Sequence, residues 1–378
     1  MQKLFTYLLF AALLAGCNDE YTLIIPATEG QVQDYYLGDI STIPSTSPPS
    51  LHISENGHYL ASVTLSDGPS QVKIIDVQSG QVISDFPLRS VTGEGFMGGN
   101  VQISNDGKAL LVYTYNNTPG IPAFTAAIIN PIEKKLIVKG IRNSTAVLYP
   151  DGKSLLYYYD LDKEIVEVSI PDTIILKKFS FKSTVDAGML QAHDRNIFLA
   201  VERVISGTNS IEEFHISLWH YATNTKLSQA TVPVRRGGGL RGYTFKTSKD
   251  MSLLALQYLV SNSINTKAYR HQLEIFNTFT GQSIRTFPLV ASGVWAYDIA
   301  PSGRNFIVQE FDTTANSFKK PAIFSVSAGS RIWELPLNQT TIPQFATLAF
   351  SSDEKYVYGA YKELNTNQWR LRIWPVKL

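Results

Sequence analysis

The chain has 378 residues, with 33 Lys plus Arg against 32 Asp plus Glu, and is 44% hydrophobic and 17% charged. It is too long and too apolar to be disordered, and a net charge of +1 gives no global field toward nucleic acid or an acidic membrane, so any electrostatic recognition is local. Short runs rich in Val, Ile, Tyr and Thr, broken by Gly, Asn, Asp and Pro, give it β composition.

The first 17 residues follow a different pattern. Lys3 supplies a small positive start, and Leu4 to Leu14 is an apolar run too short to span a bilayer. The run ends in Leu14-Ala15-Gly16-Cys17, and Cys17 is the only cysteine, so no intramolecular disulfide can form. This segment resembles the lipobox of bacterial lipoproteins, in which small residues let a signal peptidase cut before a cysteine. The resemblance implies a signal peptide over residues 1–16, a diacylglycerol on the Cys17 thiol and an acylated new amino terminus. At about 0.8 kcal/mol per buried methylene, three acyl chains hold a protein to its membrane far more firmly than one. Asn18 stands where an Asp resembles an inner-membrane retention signal, so the expected location in the bacterial cell envelope is the outer membrane, facing the periplasm.

Down the rest of the chain a phrase recurs: an apolar residue, a polar or Pro position, Asp or Asn with Gly, then an apolar strand. It is plainest in Ile53-Ser54-Glu55-Asn56-Gly57, Ile103-Ser104-Asn105-Asp106-Gly107 and Tyr149-Pro150-Asp151-Gly152. It drifts in Ala300-Pro301-Ser302-Gly303 and Phe350-Ser351-Ser352-Asp353-Glu354. It is degenerate in Leu190-Gln191-Ala192-His193-Asp194 and Phe245-Lys246-Thr247-Ser248-Lys249-Asp250. Starts at 53, 103, 148, 190, 245, 299 and 350 leave room for one four-stranded sheet each, since four strands and their turns need roughly 40–50 residues. Asn-Gly and Asp-Gly suit a hairpin that requires positive φ, read as the turn between the innermost and second strands.

The first repeat then places its remaining strands at 59–65, 72–77 and 81–87, and the fifth at 253–260, 272–276 and 282–288. The last copy has room for only three strands, at 346–350, 356–361 and 369–374. Either 21–25 or 32–37, ahead of the first repeat, is expected to supply the missing outer strand and so remove an exposed edge.

The pattern resembles the WD40-like and YVTN-type propellers of bacterial envelope proteins, in which a phrase like Ser-Pro-Asp-Gly-Lys begins each second strand. The resemblance implies an all-β fold: a β-propeller of about seven four-stranded blades over residues 50–378, its ring closed by an N-terminal strand within the lipidated segment 17–49. It implies little about function, because propellers host enzymes, scaffolds and ligand binders alike.

The search for chemistry is mostly negative. His52, His58, His193, His215, His220 and His271 are scattered over several repeats without metal-ligand spacing, so no metal or cofactor is expected. His215 and His220 flank one strand at an odd offset and face opposite sides. Ser327-Ala328-Gly329 lacks the flanking Gly of a nucleophile elbow, and Asp151-Gly152 and Asp160-Leu161-Asp162 read as hairpin turns rather than calcium loops. The five tryptophans do not repeat at one position per blade; Trp219 and Trp374, each in a third strand, are expected to pack between blades.

One constellation survives. The links from each outer strand to the next inner strand converge on one face, and here several are long and Gly-rich, as in 89–100 and 234–242. They carry Arg89, Lys139, Arg142, Lys182, Arg235, Arg236 and Arg241 against Glu94 and Asp186. Arg142, Arg235, Arg236 and Arg241 are therefore candidate binding residues for an anionic ligand or an acidic partner loop. The alternative is that the glycines answer only to crowding of the inner strands and that the arginines are solvated.

Two functions from different classes follow. One is a non-catalytic, membrane-anchored module that binds a protein or ligand. The other is a hydrolase or lactonase working in the central channel, which needs clustered His, Glu or Asp on inner strands. The inner-strand stretches 50–54, 101–104 and 244–246 offer one His and no carboxylate, which favours the binding module. Three or more titratable groups within reach of one another in the channel would favour the enzyme.

Overall fold

Alternation with a period of two, on runs apolar at every position, dictates strands buried on both faces. In the run Leu110-Leu111-Val112-Tyr113, Leu110 and Val112 enter one apolar cluster while Leu111 and Tyr113 enter another. A computed structural model of the chain describes residues 33–39, 49–64, 70–77, 79–93, 95–96, 101–115, 124–141, 146–159, 164–179, 187–205, 211–233, 244–261, 269–287, 292–312, 315–337, 342–363, 366 and 368–376.

The first strand is β1 (Gln33–Asp39). Blade 1 comprises β2 (Ser50–Ile53), β3 (Tyr59–Thr64), β4 (Gln71–Asp76) and β5 (Val82–Pro87). Blade 2 follows the one-turn helix α1 (Arg89–Thr92). Its inner edge is split into β6 (Gly95–Phe96) and β7 (Gln102–Ile103), both paired to β8 (Leu110–Tyr115), with β9 (Phe124–Asn130) and β10 (Lys135–Ile141) outside. Blade 3 holds β11 (Ala146–Leu148), β12 (Ser154–Tyr159), β13 (Glu164–Ser169) and β14 (Ile175–Phe179). Blade 4 holds β15 (Ala187–Ala192), β16 (Ile197–Ile205), β17 (Ile211–His220) and β18 (Thr225–Pro233). Blade 5 holds β19 (Thr244–Thr247), β20 (Leu253–Ser261), β21 (Tyr269–Asn277) and β22 (Ser283–Phe287).

Blade 6 holds β23 (Ser292–Ile299), β24 (Asn305–Asp312), a short β25 (Ser317–Phe318) paired to β24, β26 (Ala322–Ser325) and β27 (Arg331–Glu334). Blade 7 holds β28 (Phe345–Phe350), β29 (Tyr356–Lys362) and β30 (Gln368–Pro375), and its outermost strand is β1, antiparallel to β30. The strands of the first, fifth and last copies thus fall where the repeat places them, to within a few residues at each end.

Seven apolar clusters lie between neighbouring sheets, from blade 1 against blade 2 round to blade 7 against blade 1, so the sheets form a closed ring. Leu37 of β1 joins the cluster between blades 7 and 1. Trp219 and Trp374 are buried between blades 3 and 4 and between blades 6 and 7, as expected of third-strand aromatics.

In four copies the recurring phrase has a common physical reason. Ser104 is fully buried; its Oγ donates to Asp106 Oδ1 (2.6 Å) and accepts the Ala109 amide (2.9 Å), while Asp106 Oδ1 also accepts the Lys108 amide. The same brace is built by Ser54 with Asn56, Ser248 with Asp250 and Ser351 with Asp353. It satisfies the buried serine within its own turn, while turn amides such as those of Asn56, Asn105 and Lys249 donate to the next blade. The position after the Asp or Asn takes positive φ at Gly57, Gly107, Gly152 and Gly303, and also at Met251 and Glu354.

The brace also fixes the copies in register. In blade 5 the turn serine is Ser248, so Thr247 occupies the place of Ile53 and the copy starts at 247 rather than 245. In blade 4 Asp194 accepts the Asn196 amide as Asp106 accepts that of Lys108, so that copy starts at 191 rather than 190. A polar residue at the apolar place, Thr247 or Gln191, is what displaced the reading.

Candidate functional site in the central channel

Because strands alternate in direction, the turns between first and second strands and between third and fourth strands lie at one end of the ring, and the links lie at the other. A cavity of about 200 Å³ occupies the axis at the short-turn end. Two positions of the repeat build it. Two residues before the turn serine or its equivalent come His52, Gln102, Lys246 and Asp298; one residue after it come Glu55, His193 and Lys249.

The deeper tier is held by hydrogen bonds from blade to blade. His52 Nδ1 accepts the Ile103 amide (3.1 Å), Gln102 Oε1 accepts that of Leu148 (2.7 Å), and Asp298 Oδ2 accepts that of Phe350 (2.9 Å). An acceptor at Nδ1 leaves the proton of the neutral ring on Nε2. Burial pushes His52 down to about 4, with Lys246 and His193 adding and Glu55 opposing. Burial raises the Asp298 carboxyl above its ordinary range, against the opposing pull of Lys246 and the Phe350 and Ile299 amides.

The upper tier crosses the axis. His193 of blade 4 is hydrogen-bonded to Glu55 of blade 1 (Nδ1 to Oε1, 2.8 Å), and its Nε2 lies 3.1 Å from Thr247 Oγ1 of blade 5. Burial raises the Glu55 carboxyl, but the hydrogen bond and charge of His193, with His52 and Lys249, more than offset it, so it stays below its ordinary range. With Glu55 ionised, Nδ1 of a neutral His193 donates to it and Nε2 accepts from the Thr247 hydroxyl.

The channel therefore offers hydrogen-bond donors and cationic groups to a small acceptor-rich ligand: the His52 Nε2–H and the ammonium groups of Lys246 and Lys249. Gln191, also in the wall, keeps a buried Oε1 without a hydrogen-bond partner. Among the described residues no group of three or more His, Cys, Asp or Glu side chains is arranged to hold a metal ion.

The expectation of a channel poor in titratable groups is corrected. The stretches 50–54, 101–104 and 244–246 contribute only His52 and Lys246 as titratable groups, but Asp298 enters from β23, and Glu55 and His193 from turns. Aligning the copies on the turn Asn or Asp, rather than on the apolar residue before it, would have put Glu55, His193 and Lys249 at one position. Elsewhere, His215 is hydrogen-bonded to Glu213 and His220 to Thr223. Asp151-Gly152 and Ser327-Ala328-Gly329 lie in hairpin turns.

Cys17, Arg142, Arg235, Arg236 and Arg241 lie outside the described residues, as do Lys182, Asp186 and the 234–242 link. Two further link cations are visible. Arg89 opens α1, whose end is capped by Gly93 in the left-handed conformation, so this link is partly helical rather than open glycine chain. Lys139 lies within β10 and donates to the Thr92 carbonyl (3.0 Å), where its charge meets the carbonyl end of that turn.

No protein-family model matches the chain, and no curated protein matches it. Among solved structures it is similar to the hydrazine synthase of Kuenenia stuttgartiensis, at 12% identity and a TM-score of 0.56, covering 89% of this chain and 98% of that one. It is also similar to the Cps50 (Swd1) β-propeller domain of Myceliophteria thermophila, at 11% identity and a TM-score of 0.55, covering 91% of this chain and all of that one. At such identities the likeness concerns the fold: the chain is a seven-bladed β-propeller.

Proposed function

We propose that this propeller is a non-catalytic binding module of the bacterial envelope, held to the outer membrane by lipid on Cys17 and presenting its link face to a protein partner or an anionic ligand. The observation that carries the reading is the asymmetry of the ring. At one end the turns, such as 54–58, 149–153, 278–282 and 326–330, are short and closed by their own hydrogen bonds. At the other end the chain passes between strands through longer segments such as 88–101 and 234–243, the second of which carries Arg235, Arg236 and Arg241. Variable segments on a rigid scaffold are where binding residues concentrate. Changing Arg235, Arg236 and Arg241 together to Ser should weaken capture of an acidic partner from the native membranes and flatten its salt dependence. Capture that survives the triple change at low salt would count against the link face.

The channel gathers more than three titratable groups in one wall, the condition set above for an enzyme, and the Glu55–His193–Thr247 array supports that second reading, a hydrolase. Carboxylate, imidazole and hydroxyl stand in the order of a nucleophile relay. The Thr247 hydroxyl would attack an ester carbonyl while His193 Nε2 takes its proton and returns it to the leaving alcohol; water would then cleave the acyl-threonine. This reading requires that Thr247→Ala and His193→Ala each abolish turnover of a small ester such as p-nitrophenyl acetate. Hydrolysis unaffected by both would dispose of it.

A further inference from the structure

We infer that the short-turn rim of the propeller lies against the lipid surface to which the chain is tethered, so that the link face points away from the membrane. The inference rests on the proposed anchor at Cys17, and it begins with where the exposed apolar side chains are.

Blades 1 to 6 each expose a large apolar side chain: Val82, Ile132, Ile174, Leu227, Phe279 and Ile332. Every one lies in the turn between third and fourth strands or within the first three residues of the fourth strand. The remaining exposed large apolar side chains among the described residues are at the same places, including Leu176 beside Ile174. Ile174 and Leu176 are 61% and 56% exposed. Single exposed apolar residues are ordinary on any surface, but here the same place in the blade is used six times over. Among the described residues they form a belt around one end.

The fourth strand is the outermost, so its start must be solvated unless something covers it. Basic residues accompany the belt: Lys134 beside Ile132, Lys226 beside Leu227 and Arg331, ion-paired with Glu334, beside Ile332. Long basic side chains can keep their charge at the headgroup level while their stems lie along apolar surface. Glu133 and Asp172 share the rim, so the fit is to a mixed interfacial layer and not to a purely anionic one.

The occupant is named by where the tether enters. Gln33, the first residue of β1, pairs with Ile373 near the end of β30. A third strand ends at the short-turn end, so β1 starts there, on the same side as the belt. Fifteen residues separate Cys17 from Gln33, a reach of about 50 Å when extended. The chain that would carry the lipid thus enters the fold at the apolar rim, and the ring can settle with that end on the bilayer.

The test uses the full lipidated protein in phosphatidylethanolamine–phosphatidylglycerol vesicles containing brominated lipid. Cys17 is the only cysteine, so once it is acylated an introduced cysteine is a unique site for a fluorophore. Ala328, exposed in a short turn, and Lys362, exposed at the far end of β29, sit at opposite ends of the ring. A fluorophore on Ala328→Cys should lose most of its emission to the brominated lipid, and one on Lys362→Cys should keep it. Adding Ile174→Ser and Leu176→Ser should restore the emission of the Ala328→Cys label while flotation with the vesicles, which reports the anchor, is unchanged.

Flotation with equal quenching at both labels overturns the orientation and leaves the anchor standing. An unquenched rim that instead self-associates in sedimentation assigns the belt to a second copy and also overturns it. An unmodified Cys17 thiol in mass spectrometry removes the anchor, and with it the reason for choosing lipid as the occupant.

Discussion

A glycine with φ of +69° at position 152 turns the third blade's hairpin onto its neighbour: a Cβ there would stand 3.0 Å from Ser104 Cβ and 3.3 Å from Ala109 Cβ. Gly93 has a similar φ of +76° with nothing within 4 Å. Either change to Ala meets the left-handed penalty of about 1–2 kcal/mol, but only Gly152→Ala adds a clash between blades. Urea denaturation should show Gly152→Ala losing more stability than Gly93→Ala by at least about 1 kcal/mol; equal losses would mean that the turns do not rest on one another.

His52 makes a residue-scale prediction of another kind. It titrates near 4 in the folded protein and near 6.5 when unfolded. As pH falls, the unfolded chain takes up the proton first, so stability is whole above about pH 6.5 and is lost between there and pH 4. The loss reaches about 3 kcal/mol at most. His52→Asn keeps an acceptor for the Ile103 amide but cannot titrate, so between pH 7 and pH 4.5 the variant should lose less stability than the parent. Glu55, held low, also loses stability on acidification, and Asp298, held high, works in the opposite direction. Both persist in the variant, so identical pH profiles would acquit His52.

At the scale of elements, the outermost strand of blade 7 comes from the other end of the chain. Asp34 of β1 accepts from Arg370 Nε (3.2 Å) and Arg372 Nε (3.1 Å) of β30, and Leu37 is buried between blades 7 and 1. Deleting 21–38 should lower the melting temperature and promote aggregation through the bared edge of β30. Asp34→Ala alone should cost only about 1–2 kcal/mol, because the ion pairs are partly solvated. A deletion variant that melts and stays soluble like the parent would show that β1 contributes nothing to the blade.

Elements of this kind were legible because each copy carries its own turn chemistry and its own period of two. Legibility failed where a copy substitutes its signal. Arg195 stands where four other blades have Gly, Thr247 stands where Ile53 stands, and the inner edge of blade 2 is broken between Phe96 and Gln102. The channel was harder still. Glu55 and His193 are 138 positions apart and become partners only when the ring closes, so no local pattern announces them.

For the whole molecule, the readings proposed above give the two ends of the ring separate roles. Antiparallel strands fix the short turns at one end and the links at the other, and the seven apolar clusters between blades keep those ends apart as faces of one rigid body. If the rim meets lipid and the link face meets an acidic partner, the two contacts should be lost independently. Ile174→Ser with Leu176→Ser should change how the propeller sits on the bilayer and leave partner capture intact. Arg235→Ser, Arg236→Ser and Arg241→Ser should weaken capture, steeply at low salt and little at high salt, and leave bilayer contact intact. The Ile174 and Leu176 side chains are exposed, and surface substitutions of this kind usually move stability by no more than about 0.5 kcal/mol, so unfolding should not account for the rim variant's effect. Thermal melts of both variants beside the parent check that premise directly. Non-additive losses on combining the two sets would mean that the faces are coupled, with the tether or the channel carrying the coupling, and that the propeller is not the passive spacer this geometry describes.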